Sequence, residues 1–200
     1  MLLLILRHGQ TEADILNVHE GRADYEMTET GHKQAKKMAQ YISSKFNPNV
    51  VISSTMTRTK QTTEHIVKSL STQVVYDQRL VEWNNGVLAG LKREEALKRY
   101  PMPPNGRPLT EAIEEGESEL AFRHRVEEAI YEILEQYKDS DQILIVSHGG
   151  TISHLLNILL GYSITGGMIF PTADLGLHCI EIKEDKKIVR FLNYSLERFQ

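Results

Sequence analysis

Cysteine is nearly absent. Cys179 is the only one among 200 residues, so the chain can close no disulfide on itself. That suits a reducing compartment. The single thiol is not followed by the arginine of a cysteine-based phosphatase loop, and it falls mid-strand, as a buried spectator would. Paired cysteines and HExxH are missing, and none of the remaining histidines (His19, His32, His65, His124, His154, His178) has metal-ligand spacing with another. These six read as surface or satisfied core histidines, and no metal or organic cofactor is expected. No glycine-rich loop ends in Lys-Ser/Thr, which disfavours a P-loop nucleotide binder. Positive charge is not in surplus either. With 23 Lys+Arg against 27 Asp+Glu the formal net charge is −4. The molecule as a whole therefore has no pull toward nucleic acid or anionic membrane, and neither is expected as a partner. Long apolar runs are also lacking. MLLLIL is stopped by Arg7 and His8, too early for a membrane span and without the basic start of a signal peptide. A cytoplasmic protein is the expectation.

What is present alternates strand with helix. Leu2–Leu6 is a continuous apolar run, as in a strand buried on both faces. The stretch 28–46 places Ala35, Met38, Ala39, Ile42 and Phe46 on one helical face, with Thr28 as N-cap. Further strands are expected at 49–53, 74–76, 142–146, 175–182 and 187–194. Helices are expected at 57–70, 92–100, 117–137 and 151–160. The alternation predicts one α/β domain over 1–200, three-layer α/β/α, with a mostly parallel sheet and helices on both faces. The Pro-rich stretch 101–108 cannot be regular structure. It belongs to an insertion, Gly86 to Gly116, over one face.

In such sheets ligands bind beyond the carboxyl ends of the strands. Arg7, His8 and Gly9 follow the first strand, and Ser53, Ser54 and Arg58 follow the second. Glu82 follows the third, and Ser147, His148, Gly149 and Gly150 follow the fourth. Arginines clamp phosphate oxygens, a neutral imidazole is a nucleophile, and a glutamate able to hold a proton can give it to a leaving oxygen. Amides at the start of the helix after Gly150 add donors for an anion. The set suits phosphoryl transfer through a phosphohistidine.

The motifs LRHGQT, HEGRADYEMTETG, SSTMTRTKQT, LVEWNNG, EEGES and VSHGGT run in order over nearly the whole chain. Together they resemble the histidine phosphatase superfamily, the phosphoglycerate mutase-like fold. The resemblance implies that His8 is the phosphorylated nucleophile and that Arg7, Arg58 and His148 bind the phosphoryl oxygens. It implies Glu82 as proton donor and then as base. Gly9, Thr11, Asp14, Glu20, Gly21 and Gly149 would line the substrate side, and a backbone carbonyl would fix the tautomer of His8. The substrate would be a small phosphomonoester, with oligomeric state open.

Two positions depart from the family pattern. Asp14 stands where asparagine is common, and Glu20 where glutamine or serine is common. Either these carboxylates disfavour a doubly phosphorylated ligand, or Asp14 caps the next turn and Glu20 pairs with Arg22 at the surface, with Asn17 supplying the lost amide. The insertion has Lys92, Arg93, Lys98, Arg99 and Arg107, but also Glu94, Glu95, Glu111, Glu114 and Glu115. It thus lacks the basic surplus of a mutase, and hydrolysis is favoured over a 2,3-bisphosphoglycerate-dependent mutase. Trp83, Tyr100 and Met102 are expected substrate contacts. Two rivals from other classes are weaker. A carboxylester hydrolase would need a nucleophile elbow, which GYSITG at Gly161 misses by one residue. A non-catalytic phosphate-binding scaffold would tend to lack the histidine or the acid.

Overall fold

The computed structural model describes residues 1–70, 72–166, 169–184 and 186–196. Six strands form one sheet: β1 (Leu2–Arg7), β2 (Val50–Ser53), β3 (Gln73–Tyr76), β4 (Gln142–Ser147), β5 (Leu177–Lys183) and β6 (Lys186–Tyr194). Their order is β3-β2-β4-β1-β5-β6. The first four in that order run parallel, and β5 and β6 close the sheet as an antiparallel pair. Helices α2 (Glu29–Lys45), α3 (Thr57–Leu70), α5 (Glu119–Gln136) and α6 (Gly149–Leu159) cover it.

The period-2 geometry of a strand sends alternate side chains to opposite faces. Leu3 and Ile5 of β1, with Ile143 and Ile145 of β4, pack under α5 and α6 beside Phe122, Val126 and Ile152. Leu4 and Leu6, with Leu144 and Val146, pack under α2 and α3 beside Met38, Ile42 and Ile66. Unbroken apolar runs in the central strands thus feed two cores, which makes three layers. Thr28 caps α2 by accepting a hydrogen bond from Gly31 N, as expected. Cys179 is buried in β5 opposite Leu4.

Helix α1 (Glu12–Leu16) was not foreseen. Five residues carry no periodic signal. The helix is set instead by a capping box, in which Asp14 Oδ2 accepts from Thr11 N at 2.8 Å. The insertion holds a 3₁₀ turn at Gly86–Leu88 and one α-helix, α4 (Arg93–Arg99). The helix ends before Pro101, where the residue preceding a proline is pushed out of helix.

Candidate active site

The ends of β1, β2 and β4 are neighbours. Arg7 pairs with Ser147, and Ser53 with Val146. The residues just past them therefore meet without any long-range folding of loops. His8 and His148 have ring centroids 5.2 Å apart. Arg58, Thr62 and Ile66 lie at i, i+4 and i+8 on the buried stripe of α3, so Arg58 points inward although it is charged.

His8 is almost wholly buried, and its Nδ1 lies 2.8 Å from Gly9 O. A carbonyl only accepts, so Nδ1 carries the hydrogen and Nε2 keeps its lone pair. Burial, and then the Arg58 and Arg7 charges, hold the imidazole pKa well below 6.5 despite the Gly9 bond. The ring is thus neutral with a bare nitrogen facing the site. The carbonyl that the sequence left unnamed is that of Gly9. Its own amide donates to Thr62 Oγ1 at 3.2 Å.

Arg58 is fully buried. It donates to Gly21 O at 2.8 Å, to Ala23 O at 3.1 Å, and through Nε to His148 Nδ1 at 3.1 Å. His148 must then carry its hydrogen on Nε2, which lies 2.8 Å from Ser54 Oγ. Burial, Arg58 and the neighbouring histidine keep His148 neutral as well. Both of its nitrogens are occupied, so in the free protein His148 orients Arg58. To touch a phosphoryl oxygen, as the resemblance implies, it would have to release one of these bonds. Arg7 anchors through Nη1 to Thr172 O at 2.8 Å and Asp174 Oδ1 at 3.1 Å. Its buried Nε has no partner among the described residues, a donor in want of an anion.

The Glu82 carboxyl rests on the start of α6. It accepts from Gly150 N at 2.9 Å, Thr151 N at 3.2 Å and Trp83 N at 2.8 Å. A Cβ on residue 150 would stand 2.6 Å from Glu82 Oε1, so glycine there is what lets the carboxyl dock. Gly149 lies beside Arg7 Nε. Gly21 takes φ 49° against the Asn85 side chain, a left-handed turn that exposes its carbonyl to Arg58.

The two departing carboxylates separate. Asp14 spends one oxygen on Thr11 N and Oγ1 and is the capping residue of α1. Asn17 takes the left-handed C-cap of that helix. Glu20 does not pair with Arg22, whose guanidinium instead reaches Glu82 O and Glu117. Glu20 turns inward. Its Oε2 lies 3.4 Å from Arg58 Nε and 3.7 Å from His8 Nε2, and its Oε1 is buried. Burial raises its pKa, and Arg58 opposes the rise.

Some supporting residues escaped the sequence. Arg125 donates to the carbonyls of Arg79, Val81 and Glu82 at 2.7, 2.8 and 3.0 Å, and forks onto both oxygens of Glu117. It thereby fixes the segment that carries Glu82. The signal was legible: Arg125 sits between Phe122 and Ala129 on the buried stripe of α5, an odd place for a charge. Against the expectation of a surface or satisfied core histidine, His154 is buried and its Nδ1 has no partner among the described residues.

A cleft of about 330 Å³ opens over Arg7, Asp14, Glu20, Gly21, Glu82 and Arg93. Trp83 and Gly150 join it to a second cleft of about 550 Å³ over α5 and α6. Tyr100, beside Arg99, and exposed Met102 line neither. Among the described residues no group of three His, Cys, Asp or Glu side chains is placed to hold a metal.

The model of the histidine phosphatase superfamily, branch 1, matches residues 3–195, and the chain belongs to that family. Phosphoserine phosphatase 1 of Hydrogenobacter thermophilus is 25% identical over 196 residues, covering 96% of this chain and 92% of that protein. A 2,3-bisphosphoglycerate-dependent phosphoglycerate mutase of a Chelativorans species is 29% identical over 178 residues, covering 80% and 82%. The structure of the alpha-ribazole phosphatase of Shigella flexneri superposes with a TM-score of 0.87 at 26% identity, covering 97% of this chain and 96% of that one.

Proposed function

We propose that this protein is a phosphomonoesterase working through a phosphohistidine at His8. The observation that carries the proposal is the His8 ring. It is buried and neutral, with Nδ1 tied to Gly9 O and Nε2 bare, between two arginines. The Nε2 lone pair attacks phosphorus and the ester P–O bond breaks. The leaving oxygen takes a proton from the Glu82 carboxyl. Water then attacks the phosphohistidine and gives its proton to the Glu82 carboxylate. The N–P bond breaks, and phosphate leaves. Arg58 and the unpartnered Nε of Arg7 bind the phosphoryl oxygens. His148 holds Arg58 in place.

Hydrolysis is favoured over mutase chemistry by the insertion. Of its five cations only Arg93 lines either cleft, so a second phosphate finds little positive charge. Phosphate release from an aryl phosphate in excess chelator, for wild type and His8→Ala, tests the proposal. Turnover that survives the chelator and is lost in the variant is expected. Undiminished turnover by His8→Ala would remove His8 from the chemistry.

A further inference from the structure

The larger cleft has no role in the steps above, yet it meets the catalytic carboxyl. Glu82 docks on Gly150, and both Gly150 and Trp83 line the two clefts. The alcohol that receives the Glu82 proton must therefore depart near their junction. The smaller cleft is walled by charge: Asp14, Glu20, Arg7 and Arg93. The larger one is walled by Trp83, Phe122, Ile164 and Phe170. Its indole wall is fixed, because Trp83 Nε1 donates to Glu117 O at 2.9 Å and the ring packs on Phe122 at 5.6 Å.

Polar atoms in want of partners sit in that apolar wall. Arg123 Nη1 and His154 Nδ1 are buried and unpartnered among the described residues. The Arg123 side chain is 14% exposed and is held by Nη2 on Tyr162 O. His154 is stacked edge-on against Phe122 at 4.7 Å, and burial lowers its pKa to about 4, so it stays neutral. Buried polar groups without partners cost free energy unless a ligand or water meets them. Arg123 Nε already lies 3.8 Å from Glu127 Oε2, and Glu119 lines the same cleft, so a strongly anionic group is not favoured.

We propose that the substrate's leaving group carries a ring or similar apolar body that lies along Trp83 and Phe170, with a hydrogen-bond acceptor of at most one negative charge reaching Arg123. This rests on the phosphomonoesterase reading and narrows it. A small, multiply charged alcohol such as a phosphoglycerate would leave the cleft's apolar wall bare.

The test compares ethyl phosphate, 2-phenylethyl phosphate and 2-(4-carboxyphenyl)ethyl phosphate. Their leaving alcohols are of similar basicity, so kcat/KM reports the cleft rather than the bond. The ring should raise kcat/KM about tenfold or more. The carboxylate should add a further gain that Arg123→Gln removes, with folding of the variant checked by circular dichroism. Values within about twofold of one another for the three esters in the wild type would overturn the inference whatever the variant does. The isosteric phosphonates, propyl- and 3-phenylpropylphosphonate, are titrated in parallel by calorimetry. Ring-selective phosphonate binding without ester hydrolysis would uphold the cleft and sink the hydrolase reading. Hydrolysis without ring preference would do the reverse.

Discussion

Glu20→Gln is the most informative single change, because in the proposed reaction the phosphoryl group would come to rest beside Glu20. Its Oε2 is 3.7 Å from the attacking nitrogen and 3.4 Å from Arg58 Nε. An arriving phosphoryl dianion would meet that carboxylate at roughly 4 Å. At an effective dielectric of about 20, each pair of like unit charges there costs about 4 kcal/mol. The alternative is that Glu20 takes up a proton. From an ordinary carboxyl pKa of 4.5 to pH 7, protonation costs at most about 3.4 kcal/mol. Burial has already raised the Glu20 pKa, so its real cost is smaller. Protonation is therefore the cheaper route, and phosphate binding should draw a proton onto Glu20. Glutamine keeps the shape and removes that cost. The assay is the inhibition constant of inorganic phosphate or vanadate for both proteins from pH 5 to 8. The ligand's own ionisation cancels in the ratio. Glu20→Gln should bind roughly 10- to 100-fold more tightly at pH 7, and the advantage should shrink as pH falls toward the carboxyl pKa. A ratio of one throughout, or weaker binding by the glutamine protein, would refute the reasoning.

Other outcomes follow from the same contacts. Asp14→Asn should cost about 0.5–1 kcal/mol of stability through the α1 cap and leave the phosphate inhibition constant unchanged, as read by thermal melts and inhibition assays. Arg125→Met strips the donor from three carbonyls and leaves Glu117 with only the 3.4 Å Arg22 contact and the Asn84 amide. A loss of about 2–4 kcal/mol in stability is expected, and kcat should fall more than KM changes, because Glu82 is mispositioned. Arg58→Lys cannot span Gly21 O, Ala23 O and His148 together, so kcat/KM should drop by about two orders of magnitude or more. Stability should also depend on pH. His154 and His178 have pKa values lowered to about 4 in the fold, chiefly by burial. Between 6.5 and 4 the unfolded chain takes up protons that the folded chain does not. Stability is thus full above 6.5 and declines as pH falls to about 4, by about 3 kcal/mol for each histidine. Urea melts across that window check it.

The alternation of apolar runs and amphipathic stretches made the layers and the parallel sheet legible, because burial on both faces leaves β1, β2 and β4 nothing to alternate. The candidate edge was legible for a topological reason: Arg7, Arg58, Glu82 and His148, distant in the chain, all follow strand ends. What the sequence hid depends on side-chain direction. Nothing in HEGRAD tells whether Glu20 turns out to Arg22 or in to Arg58. That choice is made by Arg58, which the buried stripe of α3 aims at the same loop. The insertion promised substrate contacts through Tyr100 and Met102, and Met102 lies 65% exposed. The larger cleft does take Trp83, but the rest of its wall comes from α5, α6 and the chain at 163–164 and 169–172, segments that no local pattern links.

The central claim is a covalent bond between His8 and phosphorus. It is tested most directly by mixing the protein with a ³²P-labelled aryl phosphate, quenching in alkali and mapping the label by mass spectrometry. The account predicts a base-stable, acid-labile phosphoryl group on His8 Nε2, formed and discharged at rates that match turnover. Turnover with no labelled protein at any quench time, or with the label on another residue, would contradict it.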